Sequence, residues 1–455
     1  MRPHTDSLLD TIAALATPAG RSAVALVRLS GRDTRALLAK VAPGLPEPPV
    51  PRRATLAAIL DGGAEPIDRG LVTYFPEPSS YTGEDVAEIS VHGSPVVVGR
   101  VLSALTRAGA RLARPGEFTE RAFLHGKLDL PRAEAVRDLI ESRTAAAARF
   151  AARSLEGSLS RRFSSIQEDL LTAAASLGAT IDFAEDVGEA VDEEVPRRLR
   201  SAASELSRLL ATYETGRLLS AGCRVVVLGR PNAGKSTLFN ALLGSARAIV
   251  TEVPGTTRDA LEAVVDLAGV PVTLVDTAGL RETADVVERI GVERAREEAE
   301  KADAILYVLD AGRGDTPEDL EALEALRDRP VLRIANKIDQ ATPAQIAATG
   351  PQALPFCGLA PDAGARLREA LAQEISARVD TESSSEVLAS LRQRDLAERA
   401  LAAAGRALDS LARGESPEYA ASHVGDALGA LADVLGETTA EDVLQRIFST
   451  FCIGK

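Results

Sequence analysis

The run Gly229-Arg230-Pro231-Asn232-Ala233-Gly234-Lys235-Ser236 has the residue types and spacing that hold a polyphosphate, G-x-x-x-x-G-K-[ST]. Two glycines let the backbone curl, so that successive N–H groups from Asn232 to Thr237 point inward at phosphate oxygens. Lys235 would reach the β- and γ-phosphates, and the Ser236 hydroxyl would ligate Mg²⁺. Such a loop works only between a strand and a helix N-terminus, which itself favours anions. The four apolar residues Val225–Leu228 predict the strand. From Ser236 onward, Leu238, Ala241 and Leu242 predict one apolar helix side. A glycine turn matching by chance would lack both flanks.

Three further stretches select the base, in chain order. Leu274-Val275-Asp276-Thr277-Ala278-Gly279 is an apolar strand ending in D-x-x-G. Asp276 would hold Mg²⁺ through water, and the Gly279 N–H would touch the γ-phosphate. Ala304–Leu309 reads as a further buried strand. Asn336-Lys337-Ile338-Asp339 follows the strand Val331–Ala335. A carboxylate only accepts hydrogen bonds, so Asp339 would take two, from N1–H and the exocyclic amine of guanine. Adenine offers no such pair, and the combination predicts GTP binding. Between the phosphate loop and D-x-x-G lies Thr251-Glu252-Val253-Pro254-Gly255-Thr256-Thr257, where Thr256 or Thr257 would close over Mg²⁺ and the γ-phosphate. Resemblance to translation-factor-type GTPases selects Thr257. After D-T-A-G, Ras-like enzymes carry a glutamine that orients water; here it is Leu280, which cannot. Glu282 and Glu288 are the nearby acceptors. The last guanine-contacting loop, usually built on a serine, reads Cys357-Gly358-Leu359 after the strand Ala353–Phe356. A backbone N–H makes that contact, so binding should survive, while loss of the serine is expected to loosen the loop.

The chain has 455 residues, 26% charged and 45% hydrophobic, enough for about three globular domains. A net charge of −14 argues against a strongly basic nucleic-acid binder. Residues 1–130 are near neutral, at +1, and the remainder carries −15. No apolar run is long enough to span a membrane and no secretory leader is evident, so a cytoplasmic location is expected. Three scattered cysteines suggest neither a disulfide framework nor a zinc site.

The positioning elements differ along the chain. Residues 1–125 read as mixed α and β, with strands at Arg21–Leu29, Gly70–Phe75 and Ala87–Val91 and a helix at Pro95–Ala108 closed by Gly109. Residues 131–220 are rich in Ala, Leu, Arg and Glu at helical spacing, interrupted by the acidic segment Asp182–Glu194. Residues 222–375 alternate strand and helix, as a doubly wound sheet does. Residues 380–450 return to the Ala/Leu texture, which predicts a helical domain with the α/β domain inserted into it.

The whole pattern resembles the MnmE (TrmE) family of tRNA-modifying GTPases. GRPNAGKST, PGTTRD and DTAGLRETADVVERIG match it. So do Ser80–Pro95 (SYTGEDVAEISVHGSP), Ala113–Phe123 (ARPGEFTERAF) and Ile447–Lys455 (IFSTFCIGK). The resemblance covers essentially the whole chain and implies a multidomain α/β plus α fold. Its parts would be an α+β folate-binding and dimerisation domain (1–125), a discontinuous helical domain (126–217 and 379–455) and an inserted Ras-like G domain (218–378). It further implies a homodimer, a complex with the FAD protein MnmG, and addition of an aminomethyl-type group to the wobble uridine of certain tRNAs. The carbon would come from a tetrahydrofolate derivative, 5-formyl- or methylene-tetrahydrofolate. Hydrolysis in the family uses K⁺, matched here by Asn232 with Thr251, Val253 and Thr256. Glu288 aligns with the residue that orients water. The folate positions match Arg28, Glu88, Lys127 and Lys455, and Cys452 is a candidate nucleophile or packing group beside the folate. Two alternatives are a ribosome-assembly or RNA-binding regulatory GTPase, and a folate-dependent one-carbon transferase acting alone.

Overall fold

The computed structural model describes residues 10–63, 65–182, 193–244, 261–276, 296–350, 352–377, 379 and 386–455. The chain divides into two compact units, Met1–Arg137 with Gly425–Lys455, and Asp138–Val424.

In the first unit, strand patterning with period two builds a six-stranded sheet. Its strands are β1 (Ile12–Leu15), β2 (Ser22–Ser30), β3 (Thr55–Leu60), β4 (Pro66–Phe75), β5 (Val86–Gly93) and β6 (Arg111–Leu112), in the order β3-β4-β5-β2-β1-β6. All neighbours are antiparallel except β1 and β6. Ala25, Val27 and Leu29 of β2 and Ala87, Ile89 and Val91 of β5 point to one face. There they pack with Leu37, Leu38 and Val41 of α1 (Thr34–Val41) and with Val98, Val101 and Leu105 of α2 (Pro95–Ala108). Alternation therefore sends Arg28 and Glu88 to the other face, where register pairs them directly. On that face Ile12, Ala14 and Ala113 gather around Phe118 of α3 (Glu117–Leu124), with Tyr81 against them.

The terminal segment Phe448–Lys455 is stitched onto this unit. Phe448 is buried beside the rings of Phe123 and Phe451. The Gly116 and Phe118 N–H groups donate to the Cys452 and Lys455 carbonyls at 3.4 and 3.3 Å. Gly454 (φ +93°) lies against β1 so closely that a Cβ would sit 2.3 Å from the Leu15 oxygen. Only glycine fits there.

The second unit joins a helical part to a doubly wound sheet. The sheet strands are β7 (Cys223–Leu228), β8 (Leu261–Leu267), β9 (Val270–Asp276), β10 (Ala304–Asp310), β11 (Val331–Asn336) and β12 (Leu354–Pro355). Their order is β12-β11-β10-β7-β9-β8, with only β8 antiparallel to its neighbour. Helices α4 (Leu130–Glu141), α5 (Ala145–Leu155) and α6 (Ser158–Asp182) precede it in the chain. The helix Glu194–Ala211 buries Val195, Leu199, Ala202, Leu206 and Leu209, a three-four spacing that makes one apolar stripe. It packs both on α6 and on the helix Leu391–Ala412, whose buried face is largely alanine and allows close approach. Helices from the two sides of the sheet domain, Glu194–Ala211 and Leu391–Ala412, thus pack together.

Candidate nucleotide site and a second polar cluster

The phosphate loop leaves the centre of the second sheet at Leu228 and enters the helix Lys235–Gly244, which buries Leu238, Phe239 and Leu242. Gly229 and Gly234 have φ of +139° and +101°. A Cβ on Gly234 would lie 2.0 Å from the Asn336 amide nitrogen, so this glycine lets the end of β11 abut the loop. Asn336, nearly buried, donates to the Ala233 carbonyl at 2.8 Å. Lys337 donates to the Asn232 carbonyl at 2.7 Å and to Asp310 at 2.8 Å. These bonds tie the end of β11 to the Gly229–Ser236 loop. Lys235 donates to the Gly229 and Arg230 carbonyls at 2.7 and 3.0 Å, folded back along its own loop. Ser236 and Thr237 are exposed at the helix start, and Asp276 is buried at the end of β9. Oxygen donors of this kind suit Mg²⁺, which takes few protein ligands beside phosphate and water.

Asp339 is exposed in the turn after β11, and Cys357 reaches it, its thiol donating to Asp339 Oδ1 at 3.4 Å. Gly358 lies against the Thr237 methyl and Leu359 is exposed. Of the remaining sequence-derived positions, Thr251, Glu252, Val253, Pro254, Gly255, Thr256, Thr257, Thr277, Ala278, Gly279, Leu280, Glu282 and Glu288 lie outside the described residues.

The second cluster sits in the first unit. Arg28 donates through Nη2 and Nε to Glu88 Oε1 at 2.8 and 3.1 Å, and through Nη1 to the Gly454 carbonyl at 3.3 Å. The rings of Tyr81 and Phe118 flank its guanidinium at 5.5 and 5.8 Å. Burial lowers the Lys455 ammonium below its usual pKa, the Arg28 charge lowers it further, and Glu88 opposes both. Segments more than three hundred residues apart in sequence thus converge on one polar patch. Lys127 lies over Gly83 of the Tyr81–Asp85 loop. Among the described residues no hydrogen bond or ion pair joins its ammonium to the other three. The Cys452 side chain is exposed.

Sequence reasoning missed the support beneath this patch. Arg121, fully buried, pairs with Glu84 at 3.0 Å, Asp10 at 3.2 Å and Glu117 at 3.5 Å. Glu84 also accepts from Ser30 at 2.7 Å, and His125 donates to the Thr82 carbonyl at 2.8 Å. This network fixes the Tyr81–Asp85 loop over the sheet. An arginine, two aromatics and a run of acids carry no pattern in sequence that announces such a role. Among the described residues, no helix is long and apolar enough to cross a membrane.

Two family models match the chain. One describes the MnmE helical domain, over residues 130–452, and the other the GTP-binding protein TrmE N-terminus, over residues 11–127. The tRNA modification GTPase MnmE of Aquifex aeolicus is 41% identical over 449 residues, covering 98% of this chain and all of that protein. The tRNA modification GTPase MnmE of an Azoarcus species is 43% identical over 456 residues, covering 98% of each. Era of Aquifex aeolicus, in a crystal structure bound to GDP.AlF4-, has 27% identity over 42% of this chain and 67% of that one. Its TM-score of 0.27 adds nothing to the full-length relatives. With both models matched and relatives aligned end to end, the chain belongs to the MnmE family of tRNA modification GTPases.

Proposed function

We propose that this GTP hydrolase couples a K⁺-assisted GTPase cycle to a folate-dependent modification of the wobble uridine of tRNA, acting with MnmG as a cytoplasmic homodimer. The domain limits 1–125, 126–217, 218–378 and 379–455 are part of that reading. The single observation that carries the folate half is the convergence of Arg28, Glu88 and the Gly454–Lys455 terminus on one patch. Glu88 would accept from a pterin amide and amine, as Asp339 would from guanine, and the basic groups suit the ligand's anionic parts.

In the nucleotide site each residue's task follows from its chemistry. Lys235 leaves the Gly229 and Arg230 carbonyls for the phosphates, exchanging two neutral acceptors for anionic ones. Lys337 stays on Asp310 and Asn232 and keeps Asp339 in register with the loop. Asn232, with φ +64° and its side chain exposed, is free to present its amide oxygen to a cation, together with Thr251, Val253 and Thr256. Held by these residues, K⁺ would supply the positive charge that an arginine finger brings elsewhere. Ser236 and Thr257 serve Mg²⁺, and Glu288 orients water in place of the glutamine that Leu280 cannot mimic.

Titration of the purified chain with 5-formyltetrahydrofolate by calorimetry tests the folate assignment. The native chain is expected to bind, and Glu88→Gln to bind at least roughly tenfold more weakly, because one charge-assisted acceptor is lost. Equal affinity in the variant would remove Glu88 from the site.

A further inference from the structure

One stretch of the helical part has a charge balance unlike the rest of the chain. Residues 142–161 hold four arginines, Arg143, Arg149, Arg153 and Arg161, against one acid, Glu156, in a chain whose net charge is −14. The structure sets Arg149 and Arg153 on the exposed face of α5, one turn apart. Ala147, Phe150 and Ala151 bury the opposite face, where Phe150 joins a core with Leu218, Leu219 and Val270. Thr144 caps the helix, accepting from the Ala147 N–H at 3.1 Å, and its hydroxyl donates to the Gly269 carbonyl at 2.6 Å. These contacts fix which way the helix faces.

Several exposed arginines elsewhere in this unit are neutralised by carboxylates: Arg197 by Glu194, Arg208 by Glu205, Arg327 by Glu324 and Arg413 by Glu415. Among the described residues, no carboxylate pairs with Arg143, Arg149 or Arg153, and Arg161 donates to the Glu156 carbonyl at 2.9 Å. Beside these arginines the exposed face of α5 carries Ala145 and Ala152, and no large apolar side chain is exposed from 142 to 161. A protein interface is built around buried aromatic or aliphatic anchors, and this face offers none. A phosphate backbone needs no such anchor. The guanidinium fork bonds phosphate oxygens in pairs, and the small alanines let a backbone come close.

We propose that the exposed face of α5, with Arg149 and Arg153 at its centre and Arg143 at its start, is where this chain grips the phosphate backbone of tRNA. The proposal rests on tRNA being the substrate. Contacts of this kind position an RNA without reading its sequence. They also let a chain of negative net charge hold a polyanion. The general repulsion is screened beyond about 8 Å at physiological salt, whereas the arginines act at contact distance.

The test titrates a fluorescein-labelled, unmodified tRNA transcript with the full chain and follows anisotropy at several salt concentrations. Arg149→Gln with Arg153→Gln is expected to weaken binding at least roughly fivefold. The slope of log Kd against log salt should fall by roughly 1.5–2, because two phosphate contacts no longer release counterions. Arg149→Lys with Arg153→Lys keeps the charge and should keep the native slope. Arg197→Gln with Arg208→Gln removes as much charge where it is already paired, and should leave affinity and slope unchanged. Unaltered GTP hydrolysis in the absence of tRNA reports that each variant is folded. A double glutamine variant with the native slope, or a control pair that lowers it equally, would overturn the proposal. So would a variant that binds tRNA normally and fails instead to hold MnmG, which would give this face to a protein. A native chain that binds no tRNA at these salts would remove the reading that this chain holds tRNA, and the role of α5 with it.

Discussion

Gly234 allows the Asn336 amide to sit where a side chain would be and to bond the Ala233 carbonyl, so the Gly229–Ser236 loop and the end of β11 are joined. Gly234→Ala should weaken nucleotide binding at least roughly tenfold, because it adds both a left-handed strain and a clash. Titration of the fluorescence of a labelled GDP checks this. Asp339→Asn reverses one hydrogen-bond role, from acceptor to donor. It is expected to lower GTP turnover and favour XTP, whose base carries a carbonyl in place of the exocyclic amine, as hydrolysis of the two nucleotides in parallel would show. At this scale the nucleotide site was legible because each motif is local: loop, strand end and turn are written in consecutive residues. Arg28 and Glu88 were not legible in that way. Their meeting depends on the antiparallel register of β2 and β5, and only the resemblance singled them out. Tyr81, Phe118 and Arg121 lie in the stretches that carry the resemblance, yet were given no role.

At the scale of elements, the long amphipathic helices and the strands with clear alternation were read from the sequence. Among them are β2, β5 and α2, the last closed at Gly109 as expected. The two-residue β6 and the four-residue β1 were missed, being too short to show a period, and β3 follows a proline-rich stretch that reads as a connector. Invisible too was the docking of Phe448–Lys455 against α3 and β1, since nothing local announces a partner over three hundred residues away. Phe448, with 1% of its surface exposed, anchors that docking. Phe448→Ala should cost ~3–5 kcal/mol in the first unit, as other buried phenylalanines do, and loosen the segment carrying Lys455. Urea unfolding measures the cost, and the same variant should lose folate affinity. Arg121→Leu leaves Glu84, Asp10 and Glu117 without their buried cation and should cost about 3–5 kcal/mol by the same measurement.

Across the whole molecule, acid sensitivity follows from the first unit's ion pairs. Burial raises the Glu117 carboxyl, but the hydrogen bonds and charge of Arg111, with the Arg114 N–H, outweigh it and hold the pKa below 4.5. Burial likewise opposes Arg111 and Arg121 at Asp10, and the net shift is again downward, below 3.8. Both groups are depressed on folding, so their contribution is complete above these ordinary values and disappears as pH falls through the folded ones. Melting temperature should therefore drop below about pH 4.5 and drop less steeply in Arg111→Gln. A slope unchanged by that variant would contradict the assignment. The acidic net charge lies outside the near-neutral first 130 residues, as the sequence alone makes plain.

We propose that this G domain hydrolyses GTP with a cation where other GTPases use an arginine, and with Glu288 where they use glutamine. Steady-state GTP hydrolysis in KCl and in NaCl at equal ionic strength, with Glu288→Ala beside the native chain, tests it most directly. The rate is expected to be at least roughly tenfold higher in KCl, an advantage lost in the variant, because the cation and the water-orienting carboxylate act on the same transition state. Equal rates in the two salts would contradict it, leaving a GTPase without the roles assigned to Asn232, Thr251, Val253 and Thr256.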